Sequence, residues 1–166
     1  MKALFIGGIK SGKSKNAEEY ALSISSQKPY YLATTEFFDE EMKIKVAKHK
    51  EQRLENFETI EEGLNLTQAL TRLKPNSTVL VECVSMWINN MLYHKKSHQE
   101  MMKEIESLNA LELNLIFVIN DVGQSVVSEN RLSREFVELS GTISQLLASS
   151  CDEVFQVTAG IRIQLK

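Results

Sequence analysis

Residues Gly7-Gly8-Ile9-Lys10-Ser11-Gly12-Lys13-Ser14 match G-x-x-x-x-G-K-[ST], the pattern of the phosphate-binding P-loop. The flanks suit that reading. Lys2-Ala3-Leu4-Phe5-Ile6 is a short apolar run, as expected of a buried strand, and residues 14–25 read as a helix. A strand that feeds a glycine-rich turn and then a helix lets backbone N–H groups close around phosphate oxygens, with the helix N-terminus adding a favourable field. Within the pattern, Lys13 can reach the β- and γ-phosphates, and the Ser14 hydroxyl can sit on Mg²⁺. A chance glycine-rich turn would need neither the complete pattern nor these flanks.

Downstream, Pro29 marks a break and Tyr30-Tyr31-Leu32-Ala33 reads as a second strand, ending in the polar Thr34-Thr35-Glu36. In open α/β sheets ligands bind beyond such carboxyl edges. Residues 39–53 read as a helix with Asp39 as N-cap and Glu40 and Glu41 in its first turn. Its later part carries Lys43, Lys45, Lys48, Lys50 and Arg53, with His49 among them. Residues 64–73 form an amphipathic pattern through Leu66, Leu70 and Leu73, and Pro75-Asn76 is a turn. Thr78-Val79-Leu80-Val81-Glu82 is an apolar run closed by an acid. Residues 85–93 read as a short helix carrying Trp87, and residues 94–110 as a polar, mostly helical, exposed stretch. Residues 113–119 form the most hydrophobic strand and end at Asn120-Asp121-Val122-Gly123. Residues 131–149 form the last long helix. Two short strands, 154–158 and 161–165, flank Ala159-Gly160 as a hairpin. This alternation predicts an α/β, three-layer P-loop NTPase (RecA-like) fold, its sheet mostly parallel with an antiparallel end.

Composition limits the function classes. At 166 residues the chain is expected to form one nucleotide-binding catalytic domain, 1–166. Hydrophobic residues at 43% and charged residues at 25% are an ordinary globular balance, and a net charge of −3 gives no global pull towards nucleic acid or anionic membrane. Any phosphate affinity is therefore local. Cys83 and Cys151 suggest neither a disulfide framework nor a zinc knuckle. No signal-peptide pattern and no apolar run of transmembrane length is visible, so the cytoplasm is the expected compartment.

Four constellations could add chemistry. Lys48-His49-Lys50 with Arg53 reads in two ways. A neutral imidazole among cations is a competent nucleophile at phosphorus, because adjacent positive charge disfavours its protonation and attracts a polyphosphate. The same residues also fit a solvated basic helix face. Glu82 at a strand end either meets water or, beside a P-loop, holds Mg²⁺. Arg131 and Arg134, three apart, share a helix face and either meet an anion or are solvated. His94 and His98 have i, i+4 spacing but no third ligand, and read as exposed. The guanine-reading N-K-x-D element is absent, which argues against a signalling GTPase.

Taken together these stretches resemble the adenosylcobinamide kinase / adenosylcobinamide-phosphate guanylyltransferase family of cobalamin biosynthesis. The resemblance runs from Phe5 to Lys15 and through Tyr31 to Thr35, Asp39-Glu40-Glu41-Met42, Lys48-His49-Lys50 and Glu61. It continues through Val81 to Trp87, Asn90, Asn120-Asp121-Val122-Gly123, Glu129 to Arg134, Gly141, Gln145 and Gly160. The chain departs from the family at Leu54, where proline often follows the arginine, and at Phe57, which replaces tryptophan.

The resemblance implies two reactions: phosphorylation of adenosylcobinamide with ATP or GTP, then transfer of GMP from GTP to the product phosphate through a covalent histidine intermediate. The matching histidine is His49. Nucleotide contacts fall by similarity on Gly7, Gly8, Ile9, Lys10, Ser11, Gly12, Lys13 and Ser14, on Ala33, Thr34 and Thr35, on Lys50, Glu51, Gln52 and Arg53, and on Glu61 and Glu82. The family is typically a homotrimer with sites at subunit interfaces. The alternatives are a P-loop small-molecule kinase without guanylyl transfer and a non-catalytic nucleotide-binding module.

Overall fold

The computed structural model describes residues 1–36, 55–124 and 126–166. Among these, seven strands form one sheet: β1 Lys2–Gly7, β2 Tyr30–Ala33, β3 Glu58–Glu61, β4 Thr78–Glu82, β5 Asn114–Asn120, β6 Glu153–Thr158 and β7 Ile161–Gln164. The helices are α1 Lys13–Ile24, α2 Leu66–Leu70, α3 Val84–Tyr93, α4 His98–Asn109 and α5 Arg131–Ser150. The strand order is β3-β2-β4-β5-β1-β6-β7, parallel throughout except for the β6–β7 pair. The expected mostly parallel sheet with an antiparallel end is therefore present.

The apolar runs explain the layering. A parallel strand covered by helices on both faces can be apolar at successive positions, because both faces are dry. β5 does this, with Leu115 to Ile119 all buried. One face packs Leu4, Leu32, Val81 and Phe117 against Trp87, Ile88, Met101, Ile105, Leu139 and Ile143 of α3, α4 and α5. The other packs Phe5, Tyr31, Leu80, Ile116 and Val118 against Ala17 and Ala21 of α1. Those two alanines let α1 lie close to the sheet. Ala159 (φ 52°) and Gly160 (φ 81°) form the two-residue turn of the β6–β7 hairpin, where positive φ at both positions matches the strand twist.

Three expectations are corrected. The 64–73 helix is only Leu66–Leu70, started where Glu62 Oε1 accepts from the N–H groups of Leu64 and Asn65. The 94–110 stretch is helical over His98–Asn109 but not simply exposed: Met101, Ile105 and Leu108 are buried at i, i+4, i+7 spacing. A strand at Glu58–Glu61 was not expected, because this edge strand is short and polar. The 39–53 helix lies outside the described residues.

Candidate nucleotide site

The P-loop leaves β1 at the sheet's carboxyl edge and enters α1. Gly12 caps α1 at φ 95°, a left-handed conformation that side chains resist, and Lys10 takes φ 58°. Alternation of left- and right-handed backbone makes an anion-binding concavity. Gly12 has no side chain to cap the helix and the first turn holds no acid, so its N–H donors are not taken up by a capping side chain. Inside the loop the Lys13 ammonium donates to Gly8 O at 3.2 Å, and Lys13 is buried. The hairpin turn braces the loop from outside. Gly160 N–H donates to Ser11 O at 2.7 Å, and Asn16 Nδ2 donates to both Gly12 O (3.0 Å) and Gly160 O (3.3 Å).

The first turn of α1 meets the end of β4 here. Ser14 Oγ donates to Glu82 Oε1 at 2.8 Å, which unites the two residues singled out from sequence for Mg²⁺. Beside them, burial pushes the Cys83 thiol up to about 12, and the Glu82 charge adds to that. The thiol stays protonated at neutral pH and offers no competing nucleophile.

Strand register gathers three further sequence-selected residues. Ala33 of β2 lies opposite Glu61 of β3 on one side and Glu82 of β4 on the other. Thr34, next in line, donates from its N–H to Glu82 O (3.2 Å) and from its hydroxyl to Cys83 O (2.8 Å). Asn90 of α3 completes the tie. Its buried Nδ2 donates to Thr34 O at 2.6 Å and to Gly63 O at 3.0 Å, locking the ends of β2 and β3 together. Sequence reasoning gave Asn90 no role, since an asparagine in a helix carries no signal of such a bond.

The remaining candidates separate. Arg134 donates to Ser128 O and Glu129 O, fixing the loop before α5, and both Arg131 and Arg134 are exposed. His94 Nε2 pairs with Glu36 (2.8 Å) and His98 Nε2 with Glu135 (3.0 Å), so the two rings engage different acids. His49, Lys50, Glu51, Gln52 and Arg53 lie outside the described residues. Asp121 N–H donates to Gly7 O at 2.9 Å, joining the end of β5 to the root of the P-loop.

Comparison with known proteins agrees with this arrangement. The family described as cobinamide kinase / cobinamide phosphate guanyltransferase matches residues 3–165. The chain is similar to the bifunctional adenosylcobalamin biosynthesis protein CobU of Escherichia coli K12, at 33% identity over the whole of both chains. It is likewise similar to the bifunctional adenosylcobalamin biosynthesis protein CobP of Pseudomonas aeruginosa, at 33% identity over the whole of this chain and 98% of that one. Among solved structures, the flagellar accessory protein FlaH of Methanocaldococcus jannaschii matches with a TM-score of 0.53 at 12% identity, covering 99% of this chain and 77% of that one. A structure from Pyrococcus horikoshii OT3 matches with a TM-score of 0.56 at 16% identity, covering 99% and 85%. At such identities these two structures speak for the fold alone.

Proposed function

Because the chain belongs to the cobinamide kinase / cobinamide phosphate guanyltransferase family of cobalamin biosynthesis, we propose that both reactions run at the single nucleotide site built on the P-loop. In the first, the P-loop and Lys13 hold ATP or GTP while a hydroxyl of adenosylcobinamide attacks the γ-phosphorus. The bond to the β–γ bridging oxygen breaks, ADP or GDP leaves, and the hydroxyl proton passes to solvent. In the second, the His49 imidazole attacks the α-phosphorus of GTP and pyrophosphate leaves. An oxygen of adenosylcobinamide phosphate then attacks the same phosphorus, giving adenosylcobinamide-GDP and freeing the histidine.

The observation that carries this reading is the Ser14–Glu82 contact at the mouth of the loop, with Ala33 and Glu61 alongside. A hydroxyl and a carboxylate are hard oxygen donors of the kind Mg²⁺ takes, and they meet where a β- and γ-phosphate would lie. Ser14 and Glu82 would hold that ion, which when bound neutralises phosphate charge. Thr34 and Thr35, with Lys50, Glu51, Gln52, Arg53 and Glu61, form the rest of the nucleotide's surroundings in this reading. The protein works as one catalytic domain in the cytoplasm, assembled as a homotrimer.

His49→Ala tests the division of labour. Phosphoryl transfer needs the loop, the metal and a hydroxyl but no protein nucleophile. The variant should lose the acid-labile GMP adduct formed from α-labelled GTP, and lose guanylyl transfer with it. GTP binding and part of the kinase activity should remain. An adduct formed at the wild-type rate would place the nucleophile elsewhere. A wild-type protein that phosphorylates cobinamide without any adduct would be a kinase alone.

A further inference from the structure

A cleft of about 970 Å³ opens between α3 and the start of α5, and the reading above leaves it without a role. Its walls are largely apolar, formed by Tyr93, Val122, Val126, Val127, Leu132 and Phe136, with Asn89 and Ser133 among the polar groups at its lining. Its Val122 end adjoins the root of the P-loop. Val122 follows Asp121, whose N–H is bonded to Gly7 O at the root of the P-loop. One wall is held in place by Arg134, through its bonds to Ser128 O (2.9 Å) and Glu129 O (2.8 Å). We propose that this cleft is the acceptor half of the active site and receives the corrin macrocycle. The proposal rests on the cobinamide reading of the preceding subsection.

Three physical points carry it. The volume lies at the upper end of the roughly 300–1,000 Å³ usual for small-molecule sites, as a macrocyclic acceptor demands and a short alcohol does not. Apolar walls with a few polar groups suit a ring that carries both methyl and amide substituents, since the walls bury the methyls while the polar side chains orient the amides. The exposed valines and Leu132 form an apolar patch at the same carboxyl edge as the P-loop, where a ligand in an open α/β sheet binds. Arg134 acts here as a positioning residue, through the loop it fixes.

Val127→Asp and Leu132→Asp test the assignment. These side chains are 79% and 65% exposed, so a carboxylate at either position stays solvated and the fold is preserved. Adenosylcobinamide binding is measured by equilibrium dialysis, GMP uptake by the adduct from α-labelled GTP, and mass by sedimentation. Each variant should raise the Kd for adenosylcobinamide tenfold or more while GMP uptake stays within twofold of wild type. An unchanged Kd in both folded variants overturns the assignment. An unchanged Kd with a reduced sedimenting mass also overturns it, and makes the cleft a contact between copies. If the wild type takes up GMP but binds no adenosylcobinamide, the acceptor itself is misidentified and the assignment falls with it. GMP uptake, read separately, tells that failure from a failure of the nucleotide site.

Discussion

Lys13 and Glu82 act through charge, and each can be tested apart from the fold. Lys13 sits buried inside the loop, held by Gly8 O, where its ammonium is aimed by backbone rather than by a flexible surface position. Lys13→Ala should abolish both phosphoryl and guanylyl transfer, because a preorganised electrostatic clamp of this kind stabilises the transition state by about 3 kcal/mol or more. Near-normal turnover would refute the P-loop assignment. Glu82→Gln keeps a hydrogen-bond acceptor for Ser14 but removes the charge. Turnover should fall and recover in part at raised Mg²⁺, with little change in the thermal midpoint. A large loss of thermal stability with activity per folded molecule unchanged would make the acid structural. At this scale the P-loop was fully legible in sequence, since its chemistry is local to eight positions. Glu61 was reached only through resemblance, because its place beside Ala33 depends on a strand pairing that no local pattern announces. Asn90 belonged to the resemblance but had no role in it that sequence could supply, for the same reason: its partners lie just past the ends of β2 and β3.

Among the elements, those with a strong period were readable and those without were not. β1, β4 and β5 declared themselves as apolar runs, and the β6–β7 hairpin by Ala159-Gly160. β3 did not, because an edge strand with water on one side needs little apolar sequence. α4 shows how polarity misleads. Its surface charges mask a buried stripe of Met101, Ile105 and Leu108, while its start is set by Ser97 and Glu100 bonding each other's backbone. Ser97→Ala should lower unfolding free energy in urea by about 1 kcal/mol. The Glu100 carboxyl is held at about 2, first by the Ser97 N–H, then by the Ser97 hydroxyl and Lys96. Its folded value lies below the ordinary 4.5, so the stabilisation is complete above that pH and fades as pH falls from 4.5 towards 2. The gap between wild type and variant should narrow across that window. A constant gap would mean the carboxylate plays no part in the cap.

For the molecule as a whole, the sheet order sets the P-loop strand between β5 and β6, so the loop is gripped from both sides. The three-layer plan was legible because strands and helices alternate in sequence. The order of the strands was not, since parallel neighbours are distant in the chain. Assembly is open to direct measurement. Sedimentation equilibrium should give three times the 18.9 kDa of one chain, and a monomer mass at micromolar concentration would refute the trimer. The brace between Ser11 O and Gly160 N–H joins positions about 150 residues apart, so the loop's shape is a non-local property of the chain. Closing so long a loop costs entropy that only the assembled sheet repays. The phosphate-binding loop is therefore expected to take its shape late in folding, after β1 and β6 have paired.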